Sequence, residues 1–323
     1  MKKYLSKIFI LFLLVLLTLN FSSVLQAQEI SGELTIFHAG SLSIPFKKME
    51  QAFEEKYPEV DVKRESDGSR TTVRKVTDLN READVIASAD YTVIEELMMP
   101  KYTDWYINFA TNEMVLMYTP HSKYKEEINS DNWYNILLRE DVEYGHSDPN
   151  ADPCGYRSQL VWKLAEDFYN RKNLYNDLDK NCPPNNVRSK ETDLIALLES
   201  GSLDYIFIYR SVAEQHEMPF VLLPDKINLK TNKYSAYYKR AEFAVNGKEP
   251  GEKITKVGQP MVYGITIPNN SPNKEAAQRF VEFVVSKEGQ KILSDNGQPP
   301  LKPAVTNKLN SIPENIKPIV KGE

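Results

Sequence analysis

The chain is poor in the residues that hold metals, with two cysteines and four histidines among 323 residues. His38, His121 and His216 are scattered without ligand spacing, and His146 has only Cys154 and two aspartates near it, which argues against zinc. Cys154 and Cys182 permit at most one disulfide. Positive charge is not in excess either: 40 Lys plus Arg stand against 45 Asp plus Glu, a formal net charge of −5, with no Lys/Arg tract. Phosphate neutralisation requires clustered cations, so no nucleic-acid partner is expected. The patterns GxGxxG, GxxxxGK followed by Ser or Thr, GxSxG and HExxH are all absent. Dinucleotide binding, nucleoside triphosphate binding, serine hydrolysis and zinc proteolysis therefore lose their usual signatures. What is present, 41% apolar and 26% charged residues, is the composition of a folded globular protein, and the length suggests about two domains.

The first 27 residues read as a signal peptide. Lys2, Lys3 and Lys7 form a cationic head, Ile8 to Leu17 is an unbroken apolar run, and Ser22, Ser23 and Ala27 are small residues near the cut. That run is short of the roughly 20 residues needed to span a bilayer. Cleavage after Ala27 removes three Lys and no acids, taking the net charge from −5 to −8. The expected location is outside the cytoplasm, periplasmic or on the cell surface; retention of the segment as a membrane anchor stays open. No Cys near the cut offers a lipid attachment.

Beyond it, strands alternate with amphipathic helices. Leu34 to Phe37 reads as a strand, and Phe46, Met49, Phe53 and Tyr57 fall on one helix face that Pro58 ends. Val60 and Val62, then Ala83 to Ala87, continue as strands, with helices over Thr72 to Leu79 and Thr92 to Met98. This βαβαβ order predicts an α/β fold with a mostly parallel sheet. The pattern restarts after the strand Glu113 to Tyr118. Val142 to Tyr144, Leu203 to Tyr209 and Phe220 to Leu223 are strands, with helices over Gly155 to Tyr169 and around Leu194 to Leu198. Val262 to Ile267 is a returning strand and Lys274 to Leu293 a single long helix. Two α/β lobes joined by two crossover strands follow, with a cleft between them: lobe I from 32–112 plus 262–323, lobe II from 113–261.

In such sheets ligands sit where strands feed helix N-termini. Four turns there carry small, hydroxyl or acidic residues. In His38-Ala39-Gly40-Ser41-Leu42-Ser43, Gly40 permits close backbone approach and Ser41 offers a hydroxyl, although Ser43 also reads as an ordinary cap. Asp67-Gly68-Ser69-Arg70-Thr71-Thr72 has the same grammar. The loop 145–157 is the densest in polar groups. Its Asp148, Asn150 and Asp152 resemble the start of a calcium loop, but Pro153 stands where Gly is needed and Gln159 where Glu is needed, so calcium is rejected. Arg188-Ser189-Lys190-Glu191-Thr192-Asp193 opens a helix, where Glu191 has a bland role beside the helix dipole.

Several segments carry a resemblance to a known family: His38-Ala39-Gly40-Ser41-Leu42, Ala83 to Tyr91, Asp148 to Ser158 with its Asp-Pro-Cys-Gly-Tyr-Arg run, Asp204 to Tyr209, and Val262 to Pro268. Together they resemble the archaeal-type tungstate/molybdate-binding proteins, extracytoplasmic solute-binding proteins of ABC importers. The resemblance implies the two-lobed periplasmic-binding-protein fold of type II and binding without catalysis. It also implies a monomer that works with membrane permease and ATPase subunits, with no cofactor beyond the tungstate or molybdate ligand. Carried over, Gly40, Ser41 and Ser69 contact oxyanion oxygens from lobe I; Asp152, Pro153, Cys154, Glu191 and Tyr209 do so from lobe II. Asp152 and Glu191 are then the carboxylates that complete octahedral coordination of the metal. A Cys154 to Cys182 disulfide would fix the loop. Two other readings remain: a sulfate- or phosphate-type receptor in which the two acids are structural, and an exported hydrolase using Ser41 with His38.

Overall fold

In the computed structural model, which describes residues 30–323, the first alternation becomes β1 (Gly32–Ala39), α1 (Ser43–Lys56), β2 (Val60–Asp67), α2 (Ser69–Thr77), β3 (Val85–Ser88), α3 (Tyr91–Leu97) and β4 (Ile107–Thr111). The expected signal peptide, 1–27, lies outside the described residues. β1 runs parallel to β2 and β3, with Gly32 opposite Val60 and Ile36 opposite Val85, because each helix carries the chain back along the sheet face. The apolar stripe of α1 is real: Phe46 and Phe53 are fully buried, with ring centroids 5.8 and 5.3 Å from that of Phe280.

The second alternation gives β5 (Met114–Tyr118), β6 (Tyr144–Ser147), α4 (Pro153–Phe168), β7 (Val187–Arg188), α5 (Leu194–Glu199), β8 (Tyr205–Tyr209) and β9 (Phe220–Leu222). These strands form a sheet in the order β7-β6-β8-β5-β9. Trp162 and Trp133 pack edge-on against Phe207 of β8, at 5.5 and 5.7 Å between centroids. A hairpin follows, β10 (Glu242–Asn246) and β11 (Lys253–Val257), which the sequence pattern does not reveal. Each strand is five residues long and buries only one of them, Val245 in β10 and Lys256 in β11, so the burial signal is weak.

The chain then returns through β12 (Val262–Thr266), two helices, β13 (Pro300–Thr306) and β14 (Val320–Gly322), completing a sheet in the order β14-β13-β4-β12-β3-β1-β2. This sheet is mixed, not mostly parallel: β12 is antiparallel to both β3 and β4, and β13 is antiparallel to β4. β12 arrives from the other lobe and not over a crossover helix, so nothing forces it parallel. The single helix expected over Lys274 to Leu293 is two, α6 (Lys274–Val285) and α7 (Lys287–Asp295). Ser286 takes ψ 170° and its hydroxyl caps the second helix by accepting from Gly289 N at 3.3 Å. Helical spacing of Phe280, Val284 and Ile292 hides this break, because a serine cap leaves the apolar period on both sides intact.

The chain passes from the first sheet to the second through Asn112-Glu113, between β4 and β5. Asn112 Nδ2 donates to Ser211 Oγ at 2.8 Å and to Tyr263 OH at 3.1 Å, tying the outgoing connection to the returning strand β12.

Candidate functional site

Each turn singled out above sits where a strand of one lobe ends against the other lobe. After β1, Gly40 to Leu42 form one 3-10 turn, and Ser41 is buried with its Oγ 2.9 Å from Tyr263 OH. After β2, Ser69 begins α2 with its hydroxyl accepting from Ala89 N at 2.9 Å. Two amides of the same helix start, Arg70 N and Thr71 N, cross the cleft to donate to Ala151 O at 3.0 and 3.1 Å. The approach is close enough to require glycine: a Cβ on Gly68 would lie 2.5 Å from Ala151 O and 2.8 Å from Ser189 O.

Asp152 caps α4 from the second lobe. Its Oδ1 accepts from Cys154 N at 3.2 Å and its Oδ2 from Glu191 N at 3.0 Å. Pro153 follows at the first helical position, where its missing N–H costs nothing. The expectation that Pro153 and Cys154 contact oxyanion oxygens is thereby narrowed: proline has no N–H to donate, and that of Cys154 is already held by Asp152.

Glu191 begins a 3-10 turn ahead of α5 and is 1% exposed, yet neither carboxylate oxygen has a hydrogen-bond partner among the described residues. Its carboxylate faces the Gly40 turn of the opposite lobe, since a Cβ on Gly40 would stand 2.9 and 3.0 Å from its two oxygens. Burial, and then the neighbouring Asp152 carboxylate, push the Glu191 acid well above its ordinary range; its own amide and that of Ser41 offset part of this. Burial also raises Asp152. Ser147, in the strand leading to this loop, is buried with its hydroxyl beside Asp152 and has no hydrogen-bond partner among the described residues. Tyr209, at the end of β8, is fully buried and its oxygen accepts from Arg157 Nη1 at 3.0 Å, leaving its own proton to donate elsewhere.

The eight residues named from the sequence are therefore all buried where the lobes meet: Gly40, Ser41 and Ser69 from one side, and Asp152, Pro153, Cys154, Glu191 and Tyr209 from the other. Three more belong with them. Tyr263 and Asn112 hold Ser41 in a hydroxyl chain, and Arg157 donates both to Tyr209 and, at 2.9 Å, to Ala89 O of the first lobe. Arg157 ends the Asp-Pro-Cys-Gly-Tyr-Arg run, but nothing in the sequence marks it as bridging.

His38 and Ser41 do not form a nucleophile pair. His38 Nδ1 lies 2.8 Å from Ala39 O, its Nε2 is 3.3 Å from Arg64 Nη1, and burial pulls its pKa down to about 4. Cys154 and Cys182 are both free and buried, with Sγ 3.6 Å from Phe207 O and 3.4 Å from Tyr144 O respectively, so no disulfide fixes the loop.

The fold is that of two-lobed periplasmic binding proteins of type II. It superimposes on the periplasmic molybdate-binding protein of Azotobacter vinelandii with a TM-score of 0.58, over 82% of this chain and 98% of that one, at 15% identity. Residues 34–298 match the model of the bacterial extracellular solute-binding protein family, and the chain belongs to that family, whose members bind and do not catalyse. A solute-binding protein of Petrotoga mobilis is 63% identical over 94% of each chain. The molybdate/tungstate-binding protein WtpA of Pyrococcus abyssi is 44% identical over 92% of each.

Proposed function

We propose that this protein captures tungstate or molybdate outside the cytoplasm and delivers it, as a monomer, to the permease and ATPase subunits of an ABC importer. One observation carries the ligand class: a pair of buried acids, Asp152 and Glu191, linked through the Glu191 amide, with the Glu191 carboxylate unpartnered and aimed at the opposite lobe. A buried carboxylate without a partner is costly and needs a compensating group. A high-valent tungsten or molybdenum centre is such a group, because it can take two further oxygen ligands and become octahedral. Sulfur in sulfate and phosphorus in phosphate cannot, and would meet only repulsion between like charges. The name borne by the Pyrococcus abyssi relative, which covers nearly the whole chain, supports the same ligand.

In this reading the remaining groups hold the oxygens. Amides of the Gly40 turn and of Ser69, together with the hydroxyls of Ser41, Ser69 and Tyr209, are donors, those of Arg70 and Thr71 being taken by Ala151 O. Donors favour a fully deprotonated dianion, which brings acceptors only. The dianion enters between open lobes, and closure about the Asn112 and Tyr263 connections brings both halves of the site onto it.

Calorimetry on ligand-free protein with sodium tungstate, molybdate and sulfate tests the proposal. Tight binding of the first two with weak or absent sulfate binding supports it. Equal affinity for sulfate would overturn it in favour of a receptor in which both acids are structural.

A further inference from the structure

Beside the cleft, around the start of α3, the lobes meet through a second buried cluster that is built of charge. Asp90 and Glu96 come from the first lobe; Tyr156 and Arg157 of α4 and Lys256 of the hairpin come from the second. Lys256 Nζ donates to Glu96 Oε1 at 2.7 Å and lies 3.8 Å from Asp90 Oδ2. Arg157 Nη2 stands 3.6 Å from the same Asp90 oxygen, and the Tyr156 hydroxyl donates to it. Arg70, fully buried, reaches out of the first lobe to donate to Asn150 O at 3.3 Å and to Asn246 O at the end of β10. The side chains of Asp90, Arg157 and Lys256 are 3%, 4% and 5% exposed.

Nearly every pairing in this cluster crosses from one lobe to the other. An ion buried this deeply is tolerated only beside its partner, and when the lobes part each ion must be rehydrated separately. The cluster therefore responds to closure itself. It joins the site at Arg157, which donates to Tyr209, and at Arg70, next in sequence to Ser69, whereas the hydrogen bonds and ion pairs of Lys256 go to Thr92, Glu96 and Asp90, none of them assigned to the oxyanion.

The geometry points to a closing latch: Lys256 and Arg157 clasp Asp90 and Glu96 across the cleft and set how long the closed protein holds its oxyanion, without choosing which oxyanion it holds. Identifying the cargo rests on the function proposed above. Lys256 is the residue to change, because it lies outside the site. Lys256→Met removes the charge and keeps the stem, whereas Lys256→Arg keeps the charge.

The experiment combines stopped-flow release of tungstate with distances between spin labels on Glu55→Cys and Lys172→Cys, one exposed position on each lobe. Losing one partner of a buried pair acts mainly on dissociation, so Lys256→Met is expected to release tungstate about tenfold faster or more. Its label distances lengthen, its tungstate-to-sulfate affinity ratio is unchanged, and Lys256→Arg stays near the parent protein. Parental release and parental distances in Lys256→Met overturn the latch, as does a shifted affinity ratio at unchanged distance. If the parent protein takes up no tungstate, the ligand reading fails separately. The label distances then decide: longer distances in Lys256→Met sustain the latch and unchanged ones overturn it.

Discussion

The backbone amide of Glu191 donates to Asp152 Oδ2 at 3.0 Å, joining two acids 39 residues apart in sequence. With Oδ1 on the Cys154 amide, Asp152 both caps α4 and fixes where Glu191 enters the cleft. One carboxylate is thus partly committed to structure, while the other is placed by its main chain, lies beside the first, and has no hydrogen-bond partner among the described residues.

The two acids should consequently respond differently to substitution. Glu191→Gln keeps the turn and is expected to lower tungstate affinity at least tenfold with little loss of stability. Asp152→Asn retains a good cap and isolates the ligand role, whereas Asp152→Ala also loses about 1 kcal/mol of stability with the cap. Calorimetry paired with thermal unfolding separates these outcomes. Unchanged affinity in both Glu191→Gln and Asp152→Asn would defeat the assignment.

Glycine at position 40 keeps the lobes close. A Cβ there would come within 2.9 Å of a Glu191 carboxylate oxygen and 3.1 Å of Thr192 Oγ1, so Gly40→Ala pushes the Glu191 carboxylate from its place without disturbing either lobe's core. Weaker tungstate binding at a nearly parental unfolding temperature is expected. An unfolding temperature that falls in step with affinity would show that the residue acts on folding instead.

Stability without ligand should carry the signature of Glu191. Burial raises its pKa in the folded protein, so the folded state holds a proton that the unfolded state has lost, and stability falls as pH rises out of the ordinary carboxylate range. His38 works in the opposite direction, since its lowered pKa of about 4 withdraws stability as pH falls below about 6.5. Comparing the parent with Glu191→Gln cancels the histidine. The variant should unfold at a higher temperature at neutral pH, with the gain shrinking toward about pH 4.5. A gain independent of pH would contradict the raised pKa.

Thiol chemistry offers a simpler check. Cys154 and Cys182 are free and buried, so both should react with a thiol reagent only after denaturation, and reductant should leave the unfolding temperature unchanged. A reductant-sensitive transition would mean that they pair.

Much of this was legible in the sequence, because strand-to-helix turns announce themselves through Gly, Ser and Asp at fixed places. The turns that hold Gly40, Ser69 and Asp152 stand out in that way, as does the β1-to-α3 alternation, while the roles of these residues toward an oxyanion are what the family resemblance implies. Other features depend on contacts distant in sequence. Tyr263 reads as one aromatic residue among 18 tyrosines until it is seen 2.9 Å from Ser41. Lys256 reads as a surface charge on a weak strand until the hairpin places it against Glu96. The unpartnered state of Glu191 is likewise invisible in one dimension, where an acid in a first helical turn already has an ordinary explanation.

The central claim, that Asp152 and Glu191 ligate the metal of the bound oxyanion, is tested most directly by X-ray absorption at the tungsten edge of the tungstate-loaded protein. An octahedral spectrum is predicted, losing that character in Glu191→Gln. A tetrahedral spectrum, identical to that of free tungstate, would contradict the claim even if binding is tight.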